Sequence, residues 1–545
     1  MPSCSLSWGG LKVKSREIAR AREASARLSP VGILVVCLTV SSVVVPATQA
    51  AASQAKDRVP VPKIEGPITP TSGISFIGST TFPLAQVGYE ESEYFLSGTA
   101  SSYTSKTRLT KSGKWHVAPA TTARYKTRVI VYRPIDAKHF DGTVVVEWLN
   151  VTAGIDAPAA WLSSHVQMIR EGMVYVGVDA QAGGINGESG SIASEDGAGG
   201  IRQTDPARYG SLHHPGDSFS YSIYEQTGQA IRASGPKLLG GLKPKRVLAL
   251  GESQSAFRLV TYIDAIQPLS PGIFNAYFVY SRGGDGADLS QSPQRTIVTP
   301  TPTFIRTDLH VPVFLFETEA DVLALGYLPA RQASTRYIRE WEVAGTAHDD
   351  TYGLLYSRAD TGSGAADTEA FQSMLNPPSD PIPGIVDCAA PINAGSHTYE
   401  LRAAVAAVNK WMVTGHAPLQ SPLLKVDKVD PHVFLTDSNG NALGGIRTPQ
   451  VQAPVAKLSG LGQPGSSAPP SAPGATESVS GGVLCGIFGT TVPFSAAKLA
   501  TLYPSHAAFV EKWDAATAAE VKAGYLLPAD ARTLDRVAAA SNVGG

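Results

Sequence analysis

One serine in this chain stands where an apolar run gives way to a helix-like run, a setting that equips a hydroxyl for covalent chemistry. The segment RVLALGESQSAFRLVTYID puts Gly251-Glu252-Ser253-Gln254-Ser255 directly after a strand-like run at 246–250. Ala256, Leu259, Val260 and Ile263 then fall on one face of a helix. A strand that turns directly into a helix holds its turn residue strained and lifts that side chain above the sheet edge. Gly251 leaves room for the turn, and the positive end of the helix dipole favours an oxyanion forming there. The backbone N–H of Gln254 is one candidate donor to that oxyanion. The last motif position is Ser255 where glycine is usual, serine being the next smallest residue able to lie close to the strand. A second GxSxS, Gly187-Glu188-Ser189-Gly190-Ser191, has no strand before it and no apolar helix after it. Its context rejects it.

A serine hydroxyl is a weak nucleophile until a base takes its proton. The run REWEVAGTAHDD supplies the base: a strand ending at Val343 leads through Gly345 to His348. Of the 11 histidines, His397 before the helix at 399–413 is its main competitor. His213 and His214 lie upstream of the serine and are expected to line a pocket or support a loop. The acid that orients the base is sought in Glu317-Thr318-Glu319-Ala320-Asp321, after the strand VPVFLF. Asp321 is preferred, because it follows the small Thr318 by three residues and leaves one helix and one strand before His348. Glu319 and then Glu317 are the alternatives. The second oxyanion donor is expected in the loop after TVVVEWL, as the N–H of Val151 with Asn150 positioned by the strand end. Trp148 is expected to be core and Glu147 a supporting residue. Such a set performs acyl transfer: the serine attacks a carbonyl, two N–H groups hold the oxyanion, and water frees the acid.

The elements that must position these groups are short apolar runs alternating with helix-like segments. The runs lie at 128–132, 143–149, 173–178, 246–250, 273–280, 311–316 and 337–343. The fully apolar ones read as strands buried on both faces, and with helical crossovers they predict a doubly wound, mostly parallel α/β sheet with helices on both faces. An N-terminal strand near 91–96 joins the edge. The stretches 183–222 and 349–396 are too long for plain connectors and are expected to form a lid or substrate wall. Asn439-Gly440 has the residues of a tight turn in a hairpin-like piece. Residues 460–482, dominated by Pro, Gly and Ser, read as a mobile loop. Residues 496–540 read as helices, capped near Ser495 and Pro528.

Composition narrows the function classes. The chain has 545 residues, 43% hydrophobic and 17% charged, with 45 Lys plus Arg against 46 Asp plus Glu. That balance gives no footing for a nucleic-acid partner. Residues 1–50 run from basic (Lys12 to Arg27) through apolar 31–45 to small residues near Ala50, the order of a secretory signal. The apolar run is shorter than the about 20 residues a membrane span needs. An uncleaved anchor is the alternative, and a lipoprotein reading through Cys37 is weaker because Val36 precedes it. The expected mature protein is therefore exported, periplasmic or extracellular, without stable membrane insertion. It keeps Cys388 and Cys485, which an oxidising compartment lets pair, with two buried thiols as the alternative. No Cys or His cluster has metal-site spacing, and no cofactor is expected.

Four segments together (EWLNVT, GESQSA, AGTAH and DPARYGSLHHPGDSFSY) resemble a bacterial family known as "alpha/beta hydrolase domain" proteins. The resemblance runs from GYEESEYFLSGTA, near Gly88, to the C-terminal helices, and takes in GGIRTPQVQAPVAKLSG and CGIFGTTVPFS. It implies the α/β-hydrolase fold, one catalytic domain over 86–545 with insertions at 183–222, 349–396 and 417–495, no cofactor, and hydrolase activity. Residues 51–85 are then an N-terminal extension. The expected substrate is a small carboxylic ester. The same three side chains also serve peptide cleavage, acyl transfer to an alcohol or lyase chemistry, and a secreted binding protein can keep such a fold without the chemistry.

Overall fold

The apolar run Val144-Val145-Val146 has no polar side because both faces of the strand that contains it are covered. The computed structural model describes residues 59–69, 79–154, 156–187, 200–378, 380–382, 386–466 and 484–545. The expected signal at 1–50, the second GxSxS from Glu188 on and most of the expected loop at 460–482 lie outside the described residues. The region Lys56–Gly545 forms one compact unit.

Its frame is a ten-stranded sheet. In chain order the strands are β1 (Lys63–Glu65), β2 (Tyr89–Thr104), β3 (Ala118–Pro134), β4 (Thr143–Trp148), β5 (Val174–Val178), β6 (Arg246–Glu252), β7 (Ala276–Tyr280), β8 (Val313–Thr318), β9 (Ile338–Ala344) and β10 (Ile446–Arg447). Across the sheet they run β1-β2-β3-β5-β4-β6-β7-β8-β9-β10. From β5 onward every pair is parallel, while β1, β2 and β3 join antiparallel. A second pair, β11 (Ala456–Ser459) and β12 (Thr490–Pro493), stands apart from it.

Alternate side chains of each central strand enter different cores. Val144, Val146, Val176 and Ala249 face helices α2 (Ser220–Leu238) and α3 (Gln254–Thr261), with Trp148 stacked on Tyr224 at 4.6 Å. Val145, Tyr175, Leu250 and Phe316 face α1 (Ala159–Glu171) and α6 (Thr398–Thr414), with Trp161 and Trp411. A third core joins α5 (Ala365–Leu375), α7 (His506–Ala523) and α8 (Pro528–Ala539) around Phe371, Phe509 and Trp513. Ser495 caps its helix by accepting from Lys498 N–H at 3.3 Å, and Pro528 opens α8. Near residue 440 the chain folds back on itself as expected: Thr436 bridges Ala442, and Gly440 takes φ +87°.

The differences from the sequence reading lie at the sheet edge and at strand ends. β2 and β3 are far longer than their apolar centres at 91–96 and 128–132, because their outer halves pair with each other; there β3 is exposed over residues 118–122, while β2 keeps Ala100, Ser102 and Tyr103 buried. β7 begins at Ala276 rather than at 273, and β9 is shifted by one residue from 337–343.

Candidate functional site

The C-terminal ends of β4, β6, β8 and β9 converge, and each carries one of the groups singled out above. β6 passes into α3 at Ser253, whose φ of 51° and ψ of −120° lie where side chains are strained. Gly251 is required at this bend, since a Cβ there would stand 2.7 Å from the Ser255 carbonyl oxygen. Ser255 is more than a small filler: its Oγ donates to the Glu252 carbonyl at 2.8 Å and accepts from the Glu252 N–H at 3.0 Å. A hydroxyl in the last motif position thus pins the turn.

His348 follows β9. Its Nε2 lies 2.8 Å from Ser253 Oγ and its Nδ1 lies 2.6 Å from Asp321 Oδ1. A neutral imidazole makes both bonds only with its hydrogen on Nδ1, which leaves Nε2 to accept from the serine hydroxyl. Asp321 is held by a capping box where β8 passes into the short helix α4 (Glu319–Leu323). Its Oδ2 accepts from Thr318 N–H at 2.7 Å and from Thr318 Oγ1 at 2.8 Å. Burial disfavours the charged imidazole, but the Asp321 carboxylate, with Glu252 and Asp349 adding to it, outweighs this and pushes the pKa of His348 up to about 9.

The alternative acids go elsewhere. Glu319 accepts from Gly345 N–H at 2.6 Å and from Gly460 N–H at 2.8 Å, fastening two loops. Glu317 is fully buried without a hydrogen bond among the described residues, and burial holds its pKa well above the usual carboxylate range. Neither meets His348. His397 meets Tyr280 Oη and lies 3.3 Å from Asp350, and among the described residues it makes no hydrogen bond to Ser253. His214 supports a loop: its ring bonds the Ala180 carbonyl at 3.0 Å and accepts from Gly216 N–H at 3.2 Å. Glu147 holds the start of α1, accepting from Ala160 N–H at 2.8 Å and Trp161 N–H at 3.1 Å.

Two N–H groups remain for an oxyanion. Gln254 is the first residue of α3, so its N–H has no partner within the helix. In the loop after β4, Asn150 N–H donates to Ala157 and Thr152 N–H to Asn150 Oδ1, whereas Val151 N–H makes no hydrogen bond among the described residues. The Gln254 side chain is itself fixed by a reciprocal amide pair with Gln181, at 2.6 and 2.9 Å.

Sequence reasoning passed over Glu252, whose Oε1 lies 3.6 Å from His348 Nε2 while its Oε2 accepts from Asn150 Nδ2 at 2.9 Å. The signal was its place beside the serine. Cys388 and Cys485 form a disulfide across 97 residues. Among the described residues no group of three or more His, Cys, Asp and Glu side chains is placed to hold a metal. No helix among them is long and apolar enough to cross a membrane.

A family model described as "Alpha/beta hydrolase domain" matches residues 64–536. No curated protein matches the chain. Solved structures similar to it include a thermostable esterase from Pseudomonas putida ECU1011, 14% identical over 52% of this chain and 80% of that one, TM-score 0.28. A carboxylesterase from Lactobacillus plantarum WCFS1 is 13% identical over 38% and 74%, TM-score 0.23. An esterase from Rhizomucor miehei is 10% identical over 54% and 79%, TM-score 0.24.

Proposed function

The chain belongs to the alpha/beta hydrolase domain family, and from that premise we propose that it is an exported serine hydrolase of small carboxylic esters. The observation that carries this reading is the hydrogen-bonded line Ser253 Oγ–His348 Nε2 and His348 Nδ1–Asp321 Oδ1, at 2.8 and 2.6 Å. In the proposed reaction Ser253 attacks the ester carbonyl while His348 accepts its proton. Asp321 holds the imidazole in the required tautomer and stabilises its charged form. The N–H groups of Gln254 and Val151 hold the tetrahedral oxyanion. The alcohol leaves with the proton from His348, and water activated at the same nitrogen then frees the carboxylic acid.

Export is supported by the basic, apolar and small-residue order of residues 1–50 and by the disulfide, since disulfides persist in oxidising compartments. An ester is preferred to a peptide because its alkoxide leaving group asks less of the general acid.

The test is a fluorophosphonate, which phosphonylates an activated serine. Mass spectrometry of the digest is expected to find the label on Ser253, lost in Ser253→Ala and suppressed in His348→Ala. p-Nitrophenyl acetate is expected to give turnover that EDTA leaves unchanged. A folded sample that takes no label would replace this reading with that of a binding protein. Labelling with turnover of peptides but not esters would move it to a protease.

A further inference from the structure

We infer that Glu252 is a positioning residue that ties the proton-accepting face of His348 to the oxyanion-donating loop. The inference rests on the serine hydrolase reading and goes beyond it, since that mechanism needs one carboxylate and the structure brings two to the same imidazole.

The geometry is specific. Asp321 takes Nδ1, the side of the ring away from the nucleophile. Glu252 comes from the other side: its Oε1 lies 3.6 Å from Nε2, the nitrogen that carries the new proton once Ser253 has attacked. Its second oxygen accepts from Asn150 Nδ2 at 2.9 Å, and Asn150 Oδ1 accepts from Thr152 N–H at 2.7 Å. Val151 lies between those two anchored residues. One side chain next to the nucleophile therefore touches the base at one end and the loop that presents the Val151 N–H at the other. Its backbone is fixed as well, through both bonds to Ser255 Oγ.

The charged neighbours are few and can be named. Asp321 and Glu252 face His348 from across the site, and Asp349 faces it from its own loop. Glu252 is faced by His348, by Asp321, by Asp349, by Tyr280 at the end of β7, by Glu147 on β4 and, from the start of α6, by His397. Burial raises the Glu252 pKa, and His348 opposes that rise most strongly. Glutamine at this position keeps an oxygen for Asn150 and removes the charge, which separates the two roles.

The experiment follows the rate of fluorophosphonate labelling at Ser253, with kcat and KM for p-nitrophenyl acetate, as a function of pH. The base must be neutral, so both rates rise with pH through the titration of His348. In the wild type this limb is expected near pH 9. Glu252 raises that limb, so Glu252→Gln is expected to lower it by roughly one pH unit. The same loss of imidazolium stabilisation corresponds to up to about tenfold in kcat, with KM little changed. Glu252→Asp, whose carboxylate draws back from Nε2, is expected to place the limb between the two, and decides the matter if Glu252→Gln does not fold. A limb that coincides with the wild type in the folded variants, whatever their rates, would reduce Glu252 to a structural support and overturn the inference. Absence of label on Ser253 in the wild type would instead remove the hydrolase reading itself.

Discussion

Replacing Ser253 by alanine is expected to remove on the order of 10⁶-fold of kcat, and removing His348 as well to cost little more, because the two act as one unit. Asp321→Asn is expected to lose about 10⁴-fold, since the amide offers Nδ1 the wrong partner and favours the tautomer that cannot accept from the serine. The comparison that gives the series its meaning is with the neighbouring acids. Glu319→Gln weakens bonds to Gly345 N–H and Gly460 N–H. Glu317→Gln alters a buried group without a partner among the described residues. Both are expected to change thermal stability far more than kcat. Steady-state kinetics on the four single variants and on Ser253→Ala/His348→Ala settles it. If Glu319→Gln fell as far as Asp321→Asn with its melting temperature unchanged, the assignment of Asp321 would be wrong.

Choosing among these acids shows what a sequence can and cannot convey. Ser253 and His348 were legible as candidates because each follows a strand end, and a strand end is a local pattern. Asp321 was legible only as a preference. Its spacing from Thr318 was visible, but that this spacing closes a capping box turning the carboxylate toward His348 depends on the turn after β8. Ser255 read as a substitute for glycine, although its hydroxyl forms two bonds that the turn uses. Glu252 was invisible in kind, because its role arises from Asn150 and His348, two residues on other strand ends. At the fold level the strands buried on both faces announced themselves through unbroken apolar runs. The outer halves of β2 and β3 did not, since residues 97–104 and 118–124 are rich in Ala, Ser and Thr and are held by backbone bonds to each other without an unbroken apolar run.

The disulfide was legible only as one of two options for Cys388 and Cys485, and the stability effect expected of its removal is large. Cys388 and Cys485 are both buried and close a loop of 97 residues. In the chain-entropy picture a loop of that size corresponds to about 4–5 kcal/mol, and measured removals cost about 2–5 kcal/mol. The consequence extends to His348. Two residues past Cys485, the Ile487 carbonyl accepts from the His348 N–H at 3.1 Å, and the next carbonyl, of Phe488, accepts from Asn393 N–H at 2.8 Å. Asn393 in turn donates through Nδ2 to the Gly345 carbonyl at 3.1 Å, just before the histidine loop. The strap that backs His348 is therefore anchored by the bridge. Cys388→Ser/Cys485→Ser is expected to lower the free energy of unfolding by about 2–5 kcal/mol. Its kcat is expected to fall at temperatures where the variant is still folded, because the imidazole loses part of its backing while Ser253 and Asp321 keep theirs. Denaturant unfolding followed by circular dichroism, with kcat measured well below the transition, checks both parts. Lower stability with an unchanged kcat would mean that the Asn393 bonds hold the loop unaided, and that the bridge acts on the unfolded chain alone.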